Sequence, residues 1–126
     1  MRNFNLIPPI FILILFLAAL SCEKVYLTEP PEIELDTTVV YSFADTIQPI
    51  FDNKCINCHN GGIPPNLTAG NSYDALINGG YVESDTSKAE QSLIYTKLLS
   101  GTHEDRATAN EKQLILFWIK QGALNN

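Results

Sequence analysis

The chain has 126 residues and a formal net charge of −6, from 8 basic and 14 acidic side chains, which leaves room for one small domain and its targeting. An acidic body of this size argues against sequence-independent nucleic-acid binding, which sets lysines and arginines against phosphate. No glycine-rich phosphate loop, Ser/His/Asp array or paired-carboxylate site is apparent, and the single methionine is Met1.

The N-terminus reads as a processing signal over residues 1–21. Arg2 supplies a positive start, and Ile7 to Leu20 a short apolar core interrupted by Pro8 and Pro9. An apolar run of about 10–14 residues is short for a bilayer span, which needs roughly 20, and matches the core of a secretory signal. A transmembrane anchor is the competing reading. Against it, Glu23-Lys24 is balanced and no basic stop-transfer cluster follows. Loss of the leader takes Arg2 with it and leaves 7 basic against 14 acidic residues, a balance of −7. Ala18-Ala19-Leu20-Ser21-Cys22 resembles the lipobox of bacterial lipoproteins, although the usual leucine stands two positions before the cysteine instead of three. The resemblance implies lipidation of Cys22 and attachment to the periplasmic side of a bacterial membrane, inner or outer, without spanning it.

Residues 22–41 read as a tether. Pro30-Pro31 favours extended geometry and Glu29, Glu32, Glu34 and Asp36 keep the segment solvated, while Tyr26, Leu27, Ile33 and Leu35 offer a strand-like face. The folded domain spans 42–126. Ser42-Phe43-Ala44-Asp45 predicts a capped helix with Ile47, Ile50 and Phe51 on one face, Pro49 in its first turn, and Cys55 at its end. Asn71-Ser72-Tyr73-Asp74 predicts a second helix closed by Gly79-Gly80. Ser87-Lys88-Ala89-Glu90 reads as a capping box opening a third, with Leu93, Ile94, Leu98 and Leu99 as its apolar stripe. Thr108-Ala109-Asn110-Glu111 is another box, opening a last helix that carries Leu114 to Ile119 and stops at Gly122. The expectation is an all-α domain of about four short helices with long loops. So few residues bury only a thin core alone, and a bound group is expected to fill the middle.

Cys55-Ile56-Asn57-Cys58-His59 indicates that group. C-x-x-C-H is the attachment pattern of c-type haem. Two cysteines three apart lie on one face of a helical turn, so both sulfurs can reach the vinyl groups along one haem edge, and the next residue carries its imidazole to the iron. Three rival readings stand beside it. A thioredoxin-type dithiol expects a strand-turn-helix setting that is absent. A structural zinc site needs four ligands, and His59 and His103 lack finger spacing. A Cys55–Cys58 disulfide closes an unusually short loop.

Ser42-Phe43, Ile47 to Phe51, the Cys55–His59 motif and Trp118-Ile119-Lys120-Gln121-Gly122-Ala123 together resemble the small c-type cytochrome domains of bacterial lipoproteins. The resemblance covers residues 42–126 and implies a cytochrome c-like fold around one haem held covalently by Cys55 and Cys58. It implies first and last helices that cross, with Phe51 and Trp118 near the crossing or the haem edge, or simply in the core. Ile63-Pro64-Pro65-Asn66-Leu67 is similar to the proline loop of such cytochromes, where a proline carbonyl accepts from the Nδ1–H of the axial histidine. Pro65 is the expected residue and Pro64 the alternative.

Relatives commonly supply a methionine as sixth iron ligand from the loop before the last helix. This chain departs from that pattern, and Glu104 stands where the methionine is expected. His103 is the only histidine besides His59, so the expectation is bis-histidine ligation by His59 and His103. A solvated His103 with an open iron, or ligation by Lys97 or Lys112, remain alternatives. Glu104-Asp105-Arg106 is a candidate salt-bridged loop, and Gly61-Gly62 and Gly79-Gly80 read as turn glycines. The implied function is a carrier of single electrons, not an enzyme, with a redox partner that presents a basic docking surface to this acidic chain. An open-site haem domain, gas sensor or peroxidase-like, is the alternative, with Glu104 and His103 as its local acid–base groups. A module in which haem is mainly structural is the third.

Overall fold

In a computed structural model of the protein, which describes Asp36 and residues 38–126, every regular element is a helix. The leader, Cys22 and nearly all of the tether lie outside the described residues. Ser42 caps the first helix, its side chain accepting from the Asp45 N–H at 3.1 Å. The opening turn, Phe43–Ile47, is a π-turn that passes into helix α1, Gln48–Lys54. Pro49 accounts for the widening, because its ring crowds the carbonyl four residues back and it has no N–H to donate. Helix α2 is Ser72–Asn78, α3 is Leu93–Leu98 and α4 is Ala109–Lys120.

Three devices join these helices. Gln48, buried on α1, donates from Nε2 to the Leu67 carbonyl at 3.1 Å and accepts from the Ser72 hydroxyl of α2. On α4, Trp118 is fully buried and packs its ring 5.2 Å from Phe43 and 6.5 Å from Tyr73. Residues beyond Gly122 then fold back onto the start of the domain: Asn126 accepts from the Ser42 hydroxyl at 2.7 Å and the Ala44 N–H at 3.0 Å, and Leu124 accepts from the Trp118 indole at 2.9 Å. The docked chain begins slightly before Ser42. Gln121 bonds to the Val39 carbonyl at 2.7 Å and the Tyr41 N–H at 2.9 Å.

The third helix departs from expectation. Asp85, not Ser87, is the cap: its carboxylate takes both the Ser87 N–H and hydroxyl, and a 3₁₀ segment, Thr86–Gln91, follows. Ser92 breaks that segment from α3. It is buried with extended backbone, and its hydroxyl accepts from the Glu83 N–H at 3.0 Å. Of the expected stripe, Leu98 is buried and Ile94 half-buried, while Leu93 and Leu99 are exposed. A second 3₁₀ segment, Gly101–Arg106, links α3 to α4. The Thr108 capping box forms as expected, Thr108 accepting from the Glu111 N–H and Glu111 from the Thr108 N–H at 2.7 Å. No helix among the described residues is long and apolar enough to cross a membrane.

Thr108→Ala removes one cap and is expected to cost about 1 kcal/mol, whereas Trp118→Ala hollows the helix junction and should cost about 3–5 kcal/mol. Urea unfolding of the two variants checks the order, and equal losses would contradict it.

Candidate functional site

Helix α1 ends in the motif. The Cys55 and Ile56 N–H groups both donate to Phe51 O, at 2.8 and 3.1 Å, and Cys58 and His59 donate to Cys55 O at 3.1 and 3.0 Å. The turn therefore continues the helix far enough to set Cys55, Cys58 and His59 along one wall of a cavity of about 470 Å³. That volume lies within the roughly 300–1,000 Å³ usual for cofactor and small-molecule sites. Phe51, Leu67, Leu98 and Ile115 supply buried apolar walls, and Ile63, Leu93 and Ile94 line the site nearer solvent. Trp118 does not line it; it belongs to the helix junction. Cys55 and Cys58 are free thiols, the first half-buried and the second exposed. Burial, reinforced by the Glu111 carboxylate, pushes the Cys55 thiol up to about 11.

His59 is oriented by the loop that follows it. The Leu67 N–H returns to His59 O at 2.8 Å and closes residues 59–67 into a compact turn. Within it, His59 Nδ1 lies 3.2 Å from both Ile63 O and Pro65 O. A carbonyl only accepts, so Nδ1 carries the proton and Nε2 keeps its lone pair. Of the two prolines considered, the Pro65 carbonyl occupies this position. The Ile63 carbonyl shares it, and nothing in the sequence pointed to that residue because a main-chain oxygen has no side-chain signal.

His103 comes from the second 3₁₀ segment, half-buried, and also lines the cavity. The His59 and His103 ring centroids are 6.1 Å apart with planes inclined at 41°. Thr102 Oγ1 lies 3.3 Å from His103 Nδ1. The loop is held by Arg106 Nε donating to Thr102 O at 3.4 Å and by Lys112 Nζ donating to Glu104 O at 2.6 Å. It is not held by the Glu104-Asp105-Arg106 ion pairs considered from sequence, since none forms among the described residues. Lys112 is thereby engaged on the loop backbone, while Lys97 lines the cavity.

Tyr81 completes the wall. Its N–H bonds back to Leu76 O and its carbonyl accepts from Ile94 N–H, both at 3.0 Å. Gly79 permits that tight return, for a Cβ there would collide with the Ala75 carbonyl and the Tyr81 ring. The charged side chains lining the cavity are Lys54, Lys97 and Arg106, with no carboxylate among them. Lys54 sits 3.9 Å from Glu111.

No family model, curated protein or solved structure matches this chain.

Among the described residues no three histidine, cysteine or carboxylate side chains converge where a bare metal ion could sit. The His59 and His103 rings come within 6.1 Å of each other, and Cys55 and Cys58 line the same cavity.

Proposed function

We propose that the chain is an exported, lipid-anchored monohaem cytochrome c that carries single electrons, with haem held covalently by Cys55 and Cys58 and ligated by His59 and His103. The carrying observation is the pair of imidazole rings 6.1 Å apart in a cavity that both cysteines also line. Metal–imidazole bonds of about 2.0–2.1 Å on each side of one ion place two ring centroids roughly 6 Å apart. Two imidazoles leave four iron positions for a macrocycle, which accords with there being no third protein donor among the described residues.

When bound, haem iron supplies a one-electron couple between its ferrous and ferric states. The residues of the chain do the rest. Cys55 and Cys58 fix one edge through thioethers. His59, donating from Nδ1 to its two carbonyl partners, would offer Nε2 to the iron and gain basicity from those bonds. Phe51, Leu67, Leu98 and Ile115 exclude water from the ring faces. Lys97 and Arg106 suit the carboxylates of the haem periphery. Ile63 and Leu93, 55% and 41% exposed, leave an apolar opening through which an electron can reach a partner. The acidic excess, with Glu104 and Asp105 exposed next to His103, favours a partner with a basic surface by long-range attraction. No substrate bond is made or broken in this role, so the protein is a carrier and not an enzyme. Cys22 would tie it to the periplasmic side of the membrane, with 42–126 forming a cytochrome c-like domain.

Full-length protein produced with haem-attachment machinery is expected to gain one haem that survives denaturation. Cys55→Ala with Cys58→Ala should release it entirely. Retention of covalent haem by that double variant, read by mass spectrometry, would overturn the attachment sites.

Because two imidazoles stabilise ferric iron better than an imidazole and a thioether, His103→Met should raise the reduction potential. Potentiometry that finds no upward shift would remove His103 from the iron.

A further inference from the structure

The two imidazoles are held unequally. His59 Nδ1 faces two main-chain carbonyls, fixed in a loop that the Leu67 N–H closes. The one partner recorded for His103 Nδ1 is the Thr102 hydroxyl, at a long 3.3 Å, on a 3₁₀ segment with no buried residue. A carbonyl can only accept, but a hydroxyl rotates and takes either role. If Thr102 accepts, His103 carries its proton on Nδ1 and Nε2 is a ligand. If Thr102 donates, the proton moves to Nε2 and that nitrogen cannot bind metal.

We infer that Thr102 is the positioning residue for His103, selecting its metal-binding tautomer and setting how readily the ring leaves the sixth position. The inference builds on the proposed bis-histidine ligation. It assigns the labile side of the site to the 101–106 segment and the permanent side to the 59–67 loop. A small neutral ligand such as carbon monoxide would then enter by simple exchange. Carbon monoxide would take the place of His103 as ligand, with no electron or proton gained or lost.

The test is carbon monoxide binding to the reduced, haem-loaded full chain, followed by absorbance. At saturating gas the observed rate is the rate at which His103 departs. Thr102→Val keeps the shape and removes the acceptor, and should raise that limiting rate about tenfold, the low end of usual effects on the partners of metal ligands. Its reduction potential should rise as well, because an unsupported imidazole is a poorer donor to ferric iron. Thr102→Ser should restore both. A merely structural role would lower the unfolding midpoint without moving rate or potential in this paired way. Wild-type rate and potential in Thr102→Val, alongside fast binding in His103→Ala, would overturn the inference while leaving the ligand pair intact. Wild-type protein that binds as fast as His103→Ala would overturn the ligand pair and the inference with it.

Discussion

The imidazole of His59 is gripped by two main-chain carbonyls inside the loop that runs from His59 to Leu67, and the rest of the site is arranged around that grip. Loop closure by the Leu67 N–H fixes the distance between the motif and the Pro64-Pro65 segment. The two acceptors favour the tautomer with the proton on Nδ1, which leaves the lone pair on Nε2. Because His59 follows Cys58 directly, the same turn also sets the direction of both thiols. On the proposed reading, a group held at Nε2 and at two sulfurs would have little freedom left, and the walls would need only to exclude water and offer one further donor.

The domain separates its duties along α1 and α4. Trp118, Phe43, Tyr73 and the returning C-terminal residues form a dense junction, while Phe51 and Ile115 on the same helices turn toward the cavity. Two of the exposed large apolar side chains border that cavity. Leu93 and Ile63 are exposed apolar side chains on a small acidic protein, and both line the opening. Their exposure makes sense when the cavity holds a flat apolar group whose edge continues the surface they form. The cations Lys97 and Arg106 at the same site fit carboxylates on that group, and this separates the charge near the cavity from the acidity of the chain as a whole.

Local signals were the most readable ones. Ser42 and the Thr108–Glu111 box cap their helices because each needs only neighbours three residues away. The Ser87 box failed for an equally local reason, a better acceptor at Asp85 two residues earlier, and Ser92 then broke the helix by bonding to the Glu83 N–H across the loop. The Cys55–His59 motif and the proline loop were legible because spacing carries their chemistry. His103 was legible only by elimination, as the second of two histidines. Its place opposite His59 depends on how α3, the 3₁₀ segment and α4 pack, which no window of sequence contains. Ile63 O and Thr102 were invisible for different reasons, one being backbone and the other one of many surface threonines.

The central claim is that His59 and His103 grip one iron from opposite sides. Electron paramagnetic resonance of the oxidised, haem-loaded protein at low temperature reads the ligand field of that iron directly. The account predicts a low-spin ferric signal of the bis-imidazole type, replaced by a high-spin signal in His103→Ala. A high-spin signal from the wild-type protein would contradict it.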